Sequence, residues 1–353
     1  MKEVLKQVLG VDVAHKELVV SLGRMLSDFS IEVYAYNVFK NNCKGMNDLL
    51  KWCLKLTLDK APLLFVMEAT GVYHEKFAYF LDDKGYKLSI VTPNKISNYM
   101  RTLDIKTVTD KSCSEAIARF GLERKLSEWE RPNHIYKTLK QLTRERDQIV
   151  ASRSVVKNQL HAEQSEAYPV KSTIKRCQDL IKFLNKQEAQ IKLELEEVKD
   201  QEIKDKIKKI TTIPGVGILT ATIVLAETNG FELIKNKKQL TSYAGLDVKE
   251  KQSGTSVKGK PRISKKGNKS IRKAMHFPAL AAIKHDQNFK DTYTDLVSRS
   301  GIKMKGIVAV QRKLLELIYV LYKNDTVYDI NFEKKKREQQ KLTSPLQASS
   351  WPL

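Results

Sequence analysis

Apolar and β-branched residues open the chain in three strand-length runs, Gln7–Val13, Glu17–Leu22 and Ile31–Phe39. Only Ala14–Lys16 separates the first two, so they predict antiparallel strands joined by a tight turn. The period then changes: within Asn47–Leu58, Leu49, Leu50, Cys53 and Leu54 share one helical face. Leu63–Met67 returns to a strand-length run, ending at Glu68 before the turn signal Thr70–Gly71. A helix over Tyr73–Lys84, a strand over Lys87–Val91 and a helix over Pro93–Arg101 follow. Another helix, entered through Thr109 or Asp110, continues to Phe120. This order predicts an α/β domain with a mixed sheet.

Ile135–Glu166 holds no Pro or Gly, and Leu139, Leu142, Ile149, Val156 and Leu160 mark a seam along it. After the break at Tyr168–Pro169, Lys171–Val198 repeats the pattern with Ile174, Ile181, Leu184, Ile191, Leu195 and Val198. The expectation is two long helices, forming an antiparallel hairpin or a dimerisation coiled coil; two ordinary helices packed on their neighbours would read much the same. Beyond them, Ile213-Pro-Gly-Val-Gly217 leads into an apolar helix, Ile218–Glu227, and Lys238–Tyr243 leads into a glycine-containing basic stretch. A helix holding Met275, Leu280, Ala281, Ala282 and Ile283 and another over Met304–Tyr322 supply core faces, whereas the stretch from Glu333 has no core-forming pattern. The expected division is 1–130 (α/β), 131–205 (helical coiled coil), 206–325 (mainly α-helical) and 326–353 (a tail).

Charge narrows the function. Over 353 residues, Lys plus Arg is 63 against 41 for Asp plus Glu, a formal charge of +22. Such a surplus favours a polyanion, and nucleic acid comes before membrane because no apolar run reaches the roughly 18 residues of a spanning helix. No small-residue cleavage site follows the N-terminus, so a cytoplasmic protein, nucleoid-associated when active, is expected. Cys43, Cys53, Cys113 and Cys177 form no CxxC pair and read as reduced thiols rather than zinc ligands or disulfides. The six histidines form no triad pattern.

The charged positions that break apolar runs carry the candidate chemistry. Asp12 interrupts an otherwise apolar first strand, and Glu68 ends a later one. If those strands are neighbours, the carboxylates meet at one sheet edge, where a cation would relieve their repulsion. Asp110, near the start of a helix, is a third candidate. A turn or N-cap role is the plain alternative for Asp12 and Asp110. Arg144 and Arg153 give the first long helix a basic face. Gly215 and Gly217 form a turn into a helix N-terminus suited to a phosphate, but without the Lys-Ser/Thr ending of a nucleotide-hydrolysing loop. From Lys249 to Lys273 the chain gathers Lys251, Lys258, Lys260, Arg262, Lys265, Lys266, Lys269 and Arg272 around Ser253, Ser256, Ser264 and Ser270. That stretch reads either as a solvated basic loop or as a phosphodiester-binding loop that presents a hydroxyl.

Three motifs, GVDVAHKE from Gly10, MEATGVY from Met67 and KTVTDKSCSEAIA from Lys106, together resemble the RuvC-like domain of the one-hundred-and-ten family of insertion sequences, whose transposases are bridge-RNA-guided recombinases. The resemblance implies an RNase H-like fold for the N-terminal domain and an Asp-Glu-Asp-Asp set holding Mg²⁺. Asp12, Glu68 and Asp110 match the first three acids, and Cys113 occupies the fourth position. Thiol is a poor Mg²⁺ ligand, which leaves Glu115 first and Asp104 second as substitutes, or three acids alone. Ala244-Gly245-Leu246, Gln252-Ser253-Gly254 and the run Gly259–Asn268 resemble the second domain of the same transposases, which makes Ser253 the nucleophile and Ser264 the second choice. Ile213–Gly217 is similar to the hairpin of helix-hairpin-helix modules. The resemblance spans residues 7–125 and 208–295 and implies donor and target DNA, a bridge RNA and a homodimer or homotetramer as partners, with the middle helices as a linker. Two other readings stay open at this point: a Mg²⁺-dependent nuclease that only hydrolyses DNA, and an inactive nucleic-acid-binding relative.

Overall fold

The computed structural model describes residues 2–332 except 70, 104, 106, 198–199, 233, 251, 254–256 and 259–261; for 252–253 and 257–258 it describes the backbone alone. Asp104, Lys251 and Lys260 therefore lie outside the described residues, as do the side chains of Ser253 and Lys258. The chain forms two compact units, Met1–Arg131 and Pro132 onward. Among the described residues no helix is long and apolar enough to cross a membrane.

In the first unit β1 (Val4–Val13), β2 (Glu17–Leu26) and β3 (Ile31–Lys40) form an antiparallel meander. Helix α1 (Cys43–Leu56) then returns the chain to β4 (Leu63–Glu68), which pairs parallel with β1. Helix α2 (Glu75–Asp83) connects to β5 (Leu88–Val91), parallel to β4, and helices α3 (Pro93–Met100) and α4 (Asp110–Glu123) follow. The sheet order is β3-β2-β1-β4-β5, an α/β mixed sheet as the periodicity predicts.

Both faces of the sheet are covered, which is why β1 is apolar almost throughout instead of alternating. Leu9, Val11 and Val13 face a cluster with Met46 and Leu49 of α1 and Phe77 and Leu81 of α2. Val8 faces the other cluster, with Val66, Val91, Ile96 of α3 and Ile117 and Leu122 of α4. Since strand side chains alternate, Asp12 belongs to the α3/α4 side with Val8 and Gly10.

The second unit begins with the long helices α5 (His134–Ser165) and α6 (Lys171–Glu196). They pack antiparallel as a hairpin: Arg153 reaches Asn185 and Glu188, and Arg146 reaches Glu188 at 2.7 Å. The base of the hairpin is not a free-standing linker. Tyr136, Leu139, Ile191 and Leu195 share one core with the remaining helices of the unit. Those helices are α7 (Gln201–Ile210), α8 (Ile218–Thr228), α9 (Lys237–Tyr243), α10 (Lys269–Ala274), α11 (His276–His285), α12 (Gln287–Ser300) and α13 (Lys303–Asn324). Sequence pattern missed α7 and α12 as separate helices and merged α10 with α11. The chain bends at Met275, which ends one helix and caps the next.

The apolar helix α8 is buried on every side from Ala221 to Thr228, so Glu227 within it needs partners. Arg144 supplies them in bidentate form, Nε to Oε1 at 2.8 Å and Nη2 to Oε2 at 3.0 Å, and Asn268 donates to Oε2 at 2.7 Å. Burial alone would push the Glu227 carboxyl up, but these bonds and the charges of Lys140 and Arg144 outweigh it and hold its pKa below the ordinary glutamate value. Glu227→Ala would leave Asn268 without its acceptor and return Arg144, whose side chain is 55% exposed, to solvent. It is expected to cost about 1–3 kcal/mol of unit stability, read by chemical denaturation, with Glu227→Gln losing less.

Candidate active site

The acids converge because of strand register and one close helix contact. In the parallel β1/β4 ladder Val11 pairs with Met67, so Asp12 and Glu68, the next residues, leave the sheet side by side. Their strand neighbours Val8 and Val66 face the α4 cluster, which puts both acids on the α4 side by parity. Asp12 lies within the strand, paired with Val19 of β2, so it is no turn residue.

Gly10 sets the position of α4. A Cβ there would lie 2.3 Å from the Ala118 backbone N and 2.4 Å from the Ser114 carbonyl oxygen, so only glycine allows helix backbone this close. The Ser21 and Ser114 hydroxyls, 2.7 Å apart, share a buried hydrogen bond alongside, and Lys6 donates to the carbonyl of Gly121 farther along. The helix therefore runs antiparallel to β1, and its first turn reaches the strand end that carries Asp12. Gly10→Ala is expected to push α4 off the sheet. It should cost at least about 2 kcal/mol, seen as a lower melting temperature, and displace Asp110 from the other acids.

Asp110 is the first residue of α4, and it is not the cap. Thr109 accepts from the Ser112 backbone N at 3.1 Å, while Ser112 Oγ accepts from the Thr109 backbone N at 2.8 Å. The capping box is complete, which frees the Asp110 carboxylate for another role. Cys113, one turn on, shares its face.

Electrostatics show that these side chains sense one another. Burial, with the charges of Asp110 and Glu68, pushes the Asp12 carboxyl up to about 6 against a backbone bond from Val13 that opposes it. Burial, with the charges of Asp12, Glu68 and Asp110, pushes the Cys113 thiol up to about 11. Without a cation that thiol is protonated at neutral pH, and its soft sulfur is a poor ligand for a hard cation. Glu115, the sequence-level substitute for the fourth acid, instead pairs with Lys111 along the helix at 4.0 Å. The group is thus three carboxylates beside a neutral thiol. Among the described residues no group of three or more His, Cys, Asp or Glu side chains stands close enough to hold a metal ion as it is; the three acids share one sheet end and sense one another's charge.

The basic stretch is more ordered than its glycines suggest. Val248–Lys249 (β6) pairs antiparallel with Arg262–Ile263 (β9), and inside that ladder Gln252–Ser253 (β7) pairs with Val257–Lys258 (β8). Ser253 stands in the inner ladder opposite Val257, where the three-residue connection 254–256 begins. At the base, Ser264 Oγ donates to Asp247 Oδ1 at 2.5 Å, and Ser264 N donates to the Asp247 carbonyl at 2.8 Å. Ser264 is therefore held in a turn. Gly245 (φ +66°) and Gly267 (φ +157°) pack backbone on backbone here; a Cβ on Gly267 would sit 2.4 Å from the Tyr243 oxygen. Tyr243 OH donates to the Glu227 carbonyl at 2.8 Å and Asn268 N to the Tyr243 carbonyl at 2.7 Å, so both ends of the stretch are anchored on α8.

Several residues expected to grip nucleic acid are engaged within the protein. Arg144 binds Glu227 and Arg153 binds Glu188, joining helices. Arg272 donates to the carbonyls of Ala244 at 2.8 Å and Gly267 at 3.1 Å, clipping the base of the stretch. Each guanidinium satisfies buried acceptors that sequence cannot place. Arg262, Lys265, Lys266 and Lys269 remain beside the ladders. Gly215 (φ +85°) allows α11 to approach, since a Cβ would lie 2.6 Å from the Pro278 oxygen. Gly217, at the N-terminus of α8, has open space where a Cβ would stand, with nothing within 4 Å. Glu227, Asp247 and Asn268 were missed. A lone acid inside the apolar run ILTATIVLAET was the available signal for the first.

Residues 9–169 match the family model of a transposase of the DEDD type in the IS110 group, and residues 207–294 match the model described as transposase IS116/IS110/IS902 family. A pilin gene-inverting protein of Moraxella bovis is 28% identical over 82% of this chain and 89% of its own length. The transposase of insertion sequence element IS1111A from Coxiella burnetii is 24% identical over 74% of this chain and 78% of its own. Among solved structures, T. thermophilus RuvC in complex with a Holliday junction substrate overlaps 35% of this chain and 99% of its own at 9% identity, with a TM-score of 0.26, too slight to add to the strand order. The two family matches fall in order along the chain, the first over the acid-bearing sheet and the second over the serine-bearing ladders: the chain belongs to the IS110 family of transposases and is a DNA transposase, an enzyme that recombines DNA.

Proposed function

We propose that this transposase cuts and rejoins DNA through Ser253, assisted by Mg²⁺ at Asp12, Glu68 and Asp110, with a bridge RNA of its element choosing the DNA. The convergence of three carboxylates at one sheet end carries the reading. Burial first, and then the charges of Asp110 and Glu68, raise the Asp12 pKa to about 6, and a cation joining the three carboxylates would offset that cost. The donors suit a hard cation, since all three are carboxylates and the soft Cys113 sulfur would add little to its binding. Bound there, Mg²⁺ would polarise the phosphodiester and lower the pKa of an attacking hydroxyl.

The residues of the chain then divide the remaining work. Ser253 Oγ attacks phosphorus, and the new O–P bond replaces a phosphorus–sugar bond whose oxygen leaves as a hydroxyl. The resulting phosphoserine ester conserves the bond energy until a second strand's hydroxyl displaces the serine. Lysines and Arg262 along the ladders supply positive charge to the phosphoryl oxygens. Target choice by RNA matches a chain whose basic surplus is spread over many lysines, which suit backbone phosphates of any sequence. A homodimer or homotetramer fits a reaction on several strands.

The decisive assay incubates the protein with Mg²⁺, the RNA flanking its element and a supercoiled DNA bearing the element's ends, then denatures it. A covalent protein–DNA adduct that requires both RNA and Mg²⁺ is expected. Free nicked DNA without any adduct would replace this reading with plain hydrolysis. No cleavage with any divalent metal would mark a binding protein without activity. RNA-independent cleavage would remove the guide from the proposal.

A further inference from the structure

We propose that the exposed aromatic pair His15–Tyr73 is a stacking platform for one unpaired DNA base beside the phosphodiester at the acid cluster; the placement of that phosphodiester rests on the function proposed above. His15 lies three residues past Asp12, in the β1–β2 turn, and Tyr73 five residues past Glu68, so both rings stand at the sheet end that carries the acids. Their centroids are 5.2 Å apart at an interplanar angle of 60°. Asn41, just after β3, holds the two turns together: its Nδ2 donates to the Ala14 carbonyl at 2.9 Å and to the Tyr73 carbonyl at 3.3 Å. Its backbone N donates to the Lys16 carbonyl at 2.8 Å. Three connections are thereby tied into one rim, and the pair is preformed.

Beside its polar residues this end of the unit exposes aromatic and aliphatic side chains. Tyr73 is 43% exposed, Val72 67%, and Val108, two residues before Asp110, 69%. Gly71 takes φ +55°, and a Cβ there would touch the Tyr73 ring at 3.9 Å; the turn bends sharply just before presenting the tyrosine. Carboxylates repel a DNA backbone, and an aromatic face attracts a base whatever its sequence, because every base has a π-face. Acids that would hold a cation beside a phosphate and rings that hold the neighbouring base are complementary parts of one strand-binding site. In a paired duplex the base faces are covered by stacking, so the ligand this rim takes is an unpaired nucleotide, as arises when strands separate for exchange.

The test uses gapped duplex DNA with 2-aminopurine at successive unpaired positions, full-length protein in Ca²⁺ and the Ser253→Ala background, so no cleavage intervenes. One position should show quenched fluorescence on binding. Tyr73→Ala should abolish that quench and weaken affinity about tenfold, Tyr73→Phe should retain both, and His15→Ala should show a partial loss. Unchanged melting temperatures would confirm that the exposed substitutions leave the fold alone. Wild-type quench and affinity in Tyr73→Ala would overturn the platform, and a quench seen only with RNA of the same sequence would overturn its assignment to DNA. Full cleavage by Asp12→Asn, by contrast, would overturn the acid-site reading and leave the quench at Tyr73 intact, so the two failures are distinguishable.

Discussion

Ser253→Ala is expected to abolish the covalent protein–DNA adduct, a loss on the order of 10³-fold or more in strand cleavage, while DNA binding and thermal stability stay near wild type. The substitution removes one oxygen from a residue in a two-residue ladder opposite Val257. The base of that ladder is fixed elsewhere, by Asp247 and Ser264, by the Arg272 clip and by Glu227 through Asn268. Those anchoring bonds join other residues, so a melting temperature measured on the same sample separates lost chemistry from a collapse of the stretch. Ser264→Ala makes the contrast. Its hydroxyl donates to Asp247 and its backbone joins the same turn, so the variant should lose stability and slow cleavage while still forming an adduct. A gel that resolves the adduct, run with both variants, separates nucleophile from scaffold. An adduct persisting in Ser253→Ala and absent in Ser264→Ala would reverse the assignment.

Asp12→Asn should do two opposite things at once. Cleavage in Mg²⁺ should fall by a factor on the order of 10³, because the amide brings no charge to the cation. In metal-free buffer at pH 8 the variant should be more stable than the wild type. The Asp12 carboxyl ionises near 6 in the folded unit, against an ordinary value of 3.8, so the folded state disfavours the charged form. A raised carboxyl pKa leaves stability untouched below about 4, removes it progressively as pH rises to about 6, and keeps the full penalty above that. Converted directly, the shift amounts to roughly 3 kcal/mol; partial access to solvent reduces this to about 1–2 kcal/mol. Denaturation of the two proteins in chelator at pH 4 and pH 8 would show the gap opening with pH. Equal stability at pH 8 would mean that the acids do not strain one another, and the argument for a cation between them would lose its basis.

Much of the first unit was legible because strands and helices differ in period. Asp12 stood out as one charge in an apolar run, and Glu68 as the end of another. Their adjacency, however, depends on Val11 pairing with Met67, a parallel register that no local pattern encodes. Asp110 was ambiguous for a related reason. Thr109 and Asp110 are both good caps in sequence, and only the reciprocal Thr109–Ser112 bonds show which one is spent. Cys113 was flagged by its departure from the family pattern, but its protonation follows from burial beside three carboxylates.

The second unit was less legible. A basic arginine face looks the same in sequence whether it awaits a phosphate or a buried glutamate, and Arg144 and Arg153 found glutamates. The glycines of the basic stretch argued for irregular backbone, yet short cross-strand ladders form there because Gly245 and Gly267 let the two ends close on each other.

By itself the sequence determined most element types of the first unit and the polyanion-seeking charge, since these rest on side-chain chemistry and local period; it offered Asp12, Glu68 and Asp110 as candidates, and Ser253 through the family resemblance. Only the tertiary structure decided which acids meet, which cap is used, which arginines are already paired and that His15 and Tyr73 share a rim. Those outcomes depend on contacts between residues far apart in the chain, where register and close backbone approach, as at Gly10 against α4, are set by packing of whole elements rather than by any local preference.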